Sequence, residues 1–231
     1  MPIFELTEEI VFPHPNYAED DGLLAIGGDL SAERLLLAYS NAIFPWFSND
    51  KQILWWSPNP RMVLFTEKFK PAKSLIQTIR KQKFEIRFDT NFEAVIKNCA
   101  SVKRPDELGT WITKKMKNAY IQLHKLGFAH SVETYQNNQL VGGLYGVSIG
   151  AAFFGESMFH KVTDASKVAF YSLVKCCKQL NIKIIDAQQT TTHLKSLGAE
   201  EISREEFLQI LETTNNEETF RGSWENCKNF L

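Results

Sequence analysis

Three consecutive segments of the chain have the composition of β-strands: AHSVETY at 129–135, QLVGGLYGV at 139–147 and IGAAFFGE at 149–156. Asn137 and Asn138 join the first two, and asparagine tolerates the positive φ of a tight hairpin. Because so short a connection joins only antiparallel neighbours, the segments predict an antiparallel meander. The rest of the chain must fold around that sheet.

Helices are predicted before the meander. Ser31 can cap a short helix that runs to Tyr39, and Thr90 with Glu93 forms a capping box. A further amphipathic helix, ending near Gly127, has an apolar face made of Ile112, Met116, Ala119, Tyr120 and Leu123.

After the meander, the stretch 165–180 is apolar on nearly all sides, as a buried helix is. It leads into a strand, IKIIDAQ, at 182–188, and Ser203 with Glu206 forms a capping box for a last helix. Helices on a mostly antiparallel sheet predict an α+β class for the larger part of the chain.

The chain of 231 residues, 44% of them hydrophobic, is long enough for one large domain or two unequal ones. Proline, glycine and aromatic residues crowd the first 60 residues, which favours a small irregular domain there. We place the division so that a small amino-terminal domain spans 1–62 and a larger one spans 63–231.

Nothing in the sequence predicts a membrane segment, because no apolar run approaches about 20 residues. The amino terminus also lacks a basic region followed by an apolar core, so we expect a cytoplasmic protein. The cysteines form no CxxC pair and there is no paired-histidine motif, so we expect no disulfide and no metal. These cysteines are Cys99, Cys176, Cys177 and Cys227.

A net charge of −1 does not indicate a nucleic-acid-binding protein as a whole. Positive charge is nevertheless concentrated between Lys68 and Arg87, where Glu85 is the single acid. Such a segment is typical of a phosphate-binding surface and equally of a solvated helix face.

Polar residues that could form a site occur at two places. In the strand at 182–188, alternation puts Asp186 and Gln188 on one face, and a buried carboxylate beside an amide is costly unless paired. Glu156 lies between Phe154 and Met158 and would be poorly solvated if these are buried. The alternatives are a strand that ends in a polar loop, and ordinary exposure of Glu156.

Two tryptophans could stack a nucleobase. Trp46 lies in a proline-rich loop, and Trp111 immediately precedes a helix, so both could stand at the edge of a cleft. The alternative is that they fill the core, as large aromatic residues commonly do.

Taken together, the motifs resemble the leucyl/phenylalanyl-tRNA protein transferase family along almost the whole chain. They are DGLLAIGGDLS at 21–31, IFPWF at 43–47, LWWSPNPR at 54–61, TWI at 110–112, AHSVE at 129–133, LVGGLYGV at 140–147, FGESMF at 154–159, ASK at 165–167 and IDAQ…HLKSLGA at 185–199. The chain departs from the family's pattern at Ala42, where glycine is usual, and at Thr191, where some relatives have asparagine.

The resemblance implies a small amino-terminal domain and a larger acetyltransferase-like (GNAT) domain. It implies transfer of leucine or phenylalanine, and less well methionine, from aminoacyl-tRNA to proteins that begin with arginine or lysine, which marks them for degradation. The ester is already activated, so neither ATP nor any other cofactor is required. We expect a monomer.

The resemblance also assigns residues. Gln188 would orient the attacking amine, Asp186 would hydrogen-bond to its amide, and Glu156 would help position the acceptor. The aminoacyl side chain would enter an apolar pocket formed by Leu144, Met158, Phe170, Leu173 and Ile185. Trp46 and Trp111 would sandwich the terminal adenine, and the tRNA phosphates would meet Lys73, Arg80, Lys81 and Lys83.

Two other functions compete with this interpretation. A coenzyme-A-dependent acetyltransferase would need a glycine-rich pyrophosphate loop at a helix start, whereas the glycines of 141–150 lie within the meander. A tRNA-binding module without catalysis is permitted by the basic segment and the aromatic residues, but the pairing of Asp186 with Gln188 argues against it.

Overall fold

A computed structural model describes residues 3–102 and 110–227 of the chain. The first part of this structure forms a four-stranded sheet in the order β1-β2-β4-β3. Its strands are β1 (Phe4–Leu6), β2 (Leu23–Gly27), β3 (Phe44–Pro45) and β4 (Leu54–Trp56), and the helix α1 (Ala32–Ser40) lies between β2 and β3.

A seven-stranded sheet forms the larger part, in the order β11-β5-β10-β9-β8-β7-β6. Its strands are β5 (Arg61–Phe65), β6 (Glu85–Phe88), β7 (Ala129–Gln136), β8 (Gln139–Ile149), β9 (Ala152–His160), β10 (Ile184–Gln188) and β11 (Glu200–Ile202). The remaining helices are α2 (Lys73–Arg80), α3 (Phe92–Ala100), α4 (Lys114–Lys125), α5 (Ala165–Gln179), α6 (Thr192–Ser196) and α7 (Arg204–Thr214).

The predicted meander is confirmed as β7, β8 and β9, which pair antiparallel. Asn137 and Asn138 have φ of 51° and 59°, as the tight hairpin requires. The third strand begins at Ala152 and not at Ile149, since Gly150 turns the chain with φ of 53°. A Cβ on that glycine would lie 2.0 Å from the carbonyl oxygen of Thr214, so no larger residue fits.

One connection in the larger sheet is parallel. The helix α5 carries the chain from β9 to β10, which lie side by side and point the same way. Every other pair of neighbours in this sheet is antiparallel. The parallel pair is important because it brings the carboxyl-terminal ends of β9 and β10 side by side.

Helices cover both faces of the larger sheet. On one face, α3 and α4 bury Phe92, Met116 and Tyr120 in the cluster that contains Tyr145 of β8. On the other, α5 buries apolar residues in the cluster that contains Leu144. Successive residues of β8 therefore supply opposite cores, and the predicted mixed architecture of sheet and helices is confirmed.

The two sheets share a core. Leu24, Leu35 and Trp55 from the first part belong to the same buried cluster as Val63 of β5 and Phe154 of β9. The division placed between residues 62 and 63 falls within β5, and separate domains stay a prediction. Within the described ranges, no helix is both long and apolar enough to cross a membrane.

Helix caps were predicted correctly at two of three places. Ser31 accepts a hydrogen bond from the Arg34 amide, and Ser203 accepts one from the Glu206 amide. The prediction for Thr90 is wrong, because Asn91 caps α3. The buried carboxylate of Glu133 needs donors, and the Thr90 hydroxyl hydrogen-bonds to it instead.

Candidate active site

The parallel pairing of β9 with β10 brings Glu156 close to Gln188. The amide Nε2 of Gln188 donates a hydrogen bond of 2.8 Å to Oε1 of Glu156. Both side chains are 9% exposed, so they stand at the boundary between the core and solvent. The two regions that the sequence singled out as candidate sites are therefore parts of one site.

The backbone of β10 is irregular at Gln188. Its φ is 60°, and the pairing of β10 with β5 shifts register between Asp186 and Gln188. The simple alternation assumed from the sequence does not hold there, since a bulge places an extra residue on one strand. Non-glycine residues rarely adopt this conformation, and such strain is typical of functional sites.

Asp186 does not contact the side-chain amide of Gln188 as the resemblance implied. Its Oδ1 accepts a hydrogen bond of 2.8 Å from the backbone N–H of Gln188. Both carboxylate oxygens are bound by Arg61, at 2.8 Å from Nε and 2.6 Å from Nη2. Asp186 is fully buried, so its charge needs a partner, and the buried guanidinium of Arg61 is that partner. The carboxylate therefore pairs with Arg61 and not with the side chain of Gln188.

Two tyrosines complete the environment of Glu156. The hydroxyl of Tyr39, from α1, donates to Oε1 at 2.7 Å, and that of Tyr120, from α4, donates to Oε2 at 2.9 Å. The two hydroxyls also contact each other. The carboxylate therefore has donors on both oxygens although it is buried.

The charge on Glu156 depends on the pH near neutrality. Burial raises the pKa of this carboxyl from its ordinary value of 4.5 to about 7, against the opposing effect of hydrogen bonds from Tyr39, Tyr120 and Gln188. Nearby Asp186 raises it further. A group of this kind changes its protonation state near neutral pH and can exchange a proton with a reactant.

A cavity of about 410 Å³ opens beside Glu156, between β8, β9, β10 and α5. Apolar side chains from all four elements line it. They include all of the residues predicted for the aminoacyl pocket: Leu144, Met158, Phe170, Leu173 and Ile185. Met158 is 37% exposed and stands at the rim, whereas the other members are buried.

A second cavity, of about 250 Å³, adjoins the first and shares Glu156, Ala187 and Thr191 with it. Its walls contain Trp46, Trp111 and Gln188. The structure therefore brings both tryptophans to one cleft beside the polar residues. Trp111 is 8% exposed, so the alternative of a core residue is partly correct for it.

The four basic residues assigned to tRNA phosphates lie on α2 and just after it. All are exposed, and none has an ion-pair partner in the part of the chain that the structure describes: Lys73, Arg80, Lys81 and Lys83. Leu75 fixes α2 by packing beside Ala165 and Val168 of α5. None of the four lines either cavity.

Sequence reasoning missed three functional candidates: Arg61, Tyr39 and Tyr120. Tyr120 was assigned only to the apolar face of α4, and Tyr39 only to the end of α1. A tyrosine on a buried face needs a hydrogen-bond partner, and a poorly solvated Glu156 needs donors. The sequence therefore contained a signal for the pairing of the tyrosines with Glu156. The sequence contained no signal for Arg61, because its partner, Asp186, lies 125 residues away.

No group of three or more His, Cys, Asp or Glu side chains within residues 3–102 and 110–227 could hold a metal ion. The four cysteines are free thiols and all are buried.

Comparison with known proteins agrees with these features. The family model described as leucyl/phenylalanyl-tRNA protein transferase matches residues 63–212, and the model of that family's N-terminal domain matches 28–59. A leucyl/phenylalanyl-tRNA protein transferase of Syntrophobacter fumaroxidans is 53% identical over 97% of this chain and 96% of its own length. One of Thermodesulfovibrio yellowstonii is 53% identical over 97% of this chain and 92% of its own. This chain therefore belongs to the leucyl/phenylalanyl-tRNA protein transferase family.

Proposed function

We propose that the chain transfers leucine or phenylalanine, and less well methionine, from aminoacyl-tRNA to the α-amino group of proteins that begin with arginine or lysine. The observation that carries the proposal is the position of Glu156, which hydrogen-bonds to Gln188 and lines both the apolar cavity and the cleft with the tryptophans. The modified protein would thereby be marked for degradation by the N-end rule.

The apolar cavity suits the transferred side chain. Leucine and phenylalanine differ in shape, and the flexible thioether of Met158 at the rim can adapt to either. The other four predicted pocket residues are buried and apolar, so a polar aminoacyl side chain that packs against them would lose its hydrogen bonds on entry. Selection would thus depend on the amino acid more than on the tRNA sequence.

The reaction requires little chemical assistance. A peptide α-amine has an ordinary pKa near 8, so a fraction is neutral at pH 7 and can attack the ester carbonyl. Because Nε2 of Gln188 is bound to Glu156, its Oε1 is the atom that can accept a hydrogen bond from the amine. Gln188 would orient the amine, and holding both reactants together supplies much of the acceleration.

Glu156 would act beside the acceptor. Its carboxylate fixes the Gln188 amide and offers negative charge near the incoming ammonium group of the acceptor. A carboxamide is too weakly basic to keep a proton, whereas a carboxyl with a pKa of about 7 can hold one briefly. The proton can then pass to the ribose hydroxyl or to water.

The tRNA would be bound at two places. Trp46 and Trp111 would stack the terminal adenine in the second cavity, since base stacking tolerates any sequence around it. Lys73, Arg80, Lys81 and Lys83 would contact phosphates, which makes binding dependent on salt and largely independent of sequence.

The proposal extends to the architecture. The antiparallel meander followed by α5 and the parallel strand β10 supports an acetyltransferase-like (GNAT) fold for the domain spanning 63–231. The proposal also includes a separate small domain at 1–62 and a protein that is a monomer in the cytoplasm.

Transfer of labelled leucine from leucyl-tRNA to a peptide that begins with arginine tests this function. A peptide that begins with alanine is the control for the acceptor, and acetyl-coenzyme A replaces leucyl-tRNA in a parallel assay. Incorporation into the arginine peptide alone supports the transferase. Acetylation without leucine transfer would instead identify the coenzyme-A-dependent rival.

A further inference from the structure

One guanidinium joins the two walls of the candidate active site. Arg61 is 1% exposed, and all three of its nitrogen atoms are engaged. Nε and Nη2 bind the carboxylate of Asp186, while Nη1 donates a hydrogen bond of 3.1 Å to the backbone carbonyl of Ala42. Asp186 lies two residues before Gln188 on β10, and this segment is one wall of the site. Ala42 lies four residues before Trp46, and the segment that joins them is the other wall, the Trp46 wall.

Each wall contains a backbone conformation that is unfavourable for its residue. Ala42 and Gln188 both have φ of 60°, in the left-handed region that favours glycine. At Ala42 the chain leaves α1, with the amides of Ala42 and Ile43 bonded to the carbonyls of Tyr39 and Ala38. Surrounding contacts must hold such residues in place, and Arg61 contributes to both sets.

Stacking strengthens the connection to the tryptophan wall. The guanidinium carbon of Arg61 lies 4.8 Å from the ring centre of Phe44 and 5.1 Å from that of Phe207. Phe44 is in β3, two residues before Trp46, and both line the second cavity. Arg61 therefore contacts the tryptophan wall through a carbonyl and a ring.

We propose that Arg61 is a positioning residue, which fixes Gln188 through Asp186 and fixes the Trp46 wall through Ala42 and Phe44. The inference rests on the proposed function, because it assigns the two walls to the acceptor amine and to the adenine. One side chain then sets the distance between the two substrates. Asp186, held by its ion pair with Arg61, acts on Gln188 through the backbone N–H.

The planar fork of arginine is essential to this arrangement. Its donors point in three fixed directions, towards both oxygens of Asp186 and the carbonyl of Ala42. In Arg61→Lys a single ammonium keeps the charge and the pairing with Asp186 but cannot reach all three acceptors. In Asp186→Asn the contacts to Ala42 and Phe44 remain, whereas the charged anchor of Gln188 is lost.

Steady-state transfer from leucyl-tRNA to a peptide that begins with arginine separates the two roles. We expect Asp186→Asn to lower kcat about tenfold or more with little change in the KM for leucyl-tRNA. Arg61→Lys should lower kcat and also raise that KM severalfold, because the contacts that fix the Trp46 wall are lost. The double variant should have the kcat of the worse single variant, since both changes act through one contact.

Arg204→Lys is the matched control. Arg204 is also buried and donates from Nε and Nη2 to one backbone carbonyl, that of Ser57, but it contacts neither Asp186 nor Ala42. It should lose similar stability while kcat and KM stay within about twofold of the wild type. An equal decrease of kcat and an equal increase of KM in Arg61→Lys and Arg204→Lys would overturn the proposal and leave Arg61 a structural residue.

Amide hydrogen exchange decides the point without any activity. Exchange at residues 42–47 should be faster in Arg61→Lys only, and exchange at 187–189 should be faster in both Arg61→Lys and Asp186→Asn. Unchanged exchange in both segments of Arg61→Lys would contradict the proposal. A wild type that transfers no leucine would remove the proposed function, while the exchange pattern would still show whether Arg61 holds both walls. Should Asp186→Asn not fold, Arg61→Lys against Arg204→Lys is sufficient.

Discussion

Nε2 of Gln188 lies 2.8 Å from Oε1 of Glu156, so that the carboxylate fixes which end of the amide faces the cleft. The orientation leaves the amide oxygen for a donor such as an amine. Tyr39 donates to the same oxygen and Tyr120 donates to the other oxygen of this carboxylate, and these contacts hold Glu156 in place. Gln188 is thereby pre-organised before any substrate arrives.

Removing the amide should abolish most of the transfer. We expect Gln188→Ala to lower kcat about a hundredfold with a small change in the KM for leucyl-tRNA, because it removes orientation of the amine and leaves the aminoacyl pocket intact. Transfer kinetics with a peptide that begins with arginine provide the measurement. Gln179→Ala, at an exposed position at the end of α5, is the control. Full activity in Gln188→Ala would exclude its assigned role.

The raised pKa of Glu156 predicts how stability changes with pH. The folded protein keeps this proton up to a pKa of about 7, whereas the ordinary value is 4.5. The stabilisation from neutral Glu156 is therefore fully present below pH 4.5 and is lost as the pH rises through about 7. The glutamine of Glu156→Gln cannot ionise, so this variant does not lose that stabilisation. The free energy of unfolding of the variant should therefore increase relative to that of the wild type as the pH rises across that range.

Urea unfolding of both proteins at about pH 5 and about pH 8 gives this difference. Other carboxyl groups contribute equally to the two proteins and cancel. A difference that stays constant between the two pH values would show that Glu156 titrates at its ordinary pKa.

The apolar cavity should set the preference between leucine and phenylalanine. Ile185 lines it, while the adjacent Ile184 is packed into the core on the opposite face of the sheet. We expect Ile185→Phe to reduce phenylalanine transfer about tenfold more than leucine transfer, since the larger ring no longer fits. Competition between phenylalanyl-tRNA and leucyl-tRNA measures the ratio.

Ile184→Phe is the matched control for this change. Overpacking of the core should lower its stability by about 1–3 kcal/mol without altering the ratio of the two amino acids. If both variants changed the ratio equally, the cavity beside Glu156 would not be the aminoacyl pocket.

The basic residues after α2 should determine the salt dependence. Lys81→Ala combined with Lys83→Ala should raise the Kd for tRNA and reduce the slope of log K against log salt by about 2. Lys97→Ala combined with Lys125→Ala removes the same charge from exposed positions on α3 and α4 and should leave the slope unchanged. Equal slopes in the two double variants would mean that the surface is a solvated face.

Local patterns predicted much of the fold. The meander, its hairpin at Asn137 and Asn138, and the buried helix α5 depend on periodicity and turn chemistry, which neighbouring residues determine. The cap at Thr90 was wrong because a distant carboxylate, Glu133, binds its hydroxyl. Interactions between remote segments have no periodic signal.

The candidate site divides in the same way. The residues that the resemblance assigned to the aminoacyl pocket line one cavity, and their role there stays a prediction. The resemblance also placed Asp186 against the Gln188 side chain. The structure instead pairs Asp186 with Arg61 and shifts the register at Gln188. A bulge and a buried ion pair arise from tertiary packing, so alternation along one strand does not reveal them.

The most direct test follows labelled leucine from leucyl-tRNA to one atom of the acceptor. Purified protein is mixed with leucyl-tRNA and a peptide that begins with arginine, beside the same peptide with its α-amine acetylated. The label should leave the tRNA and appear at the free amino terminus in equal amounts, with none on the acetylated peptide. If the protein binds leucyl-tRNA while all of the label stays on the tRNA, the chain is a tRNA-binding module and not a transferase.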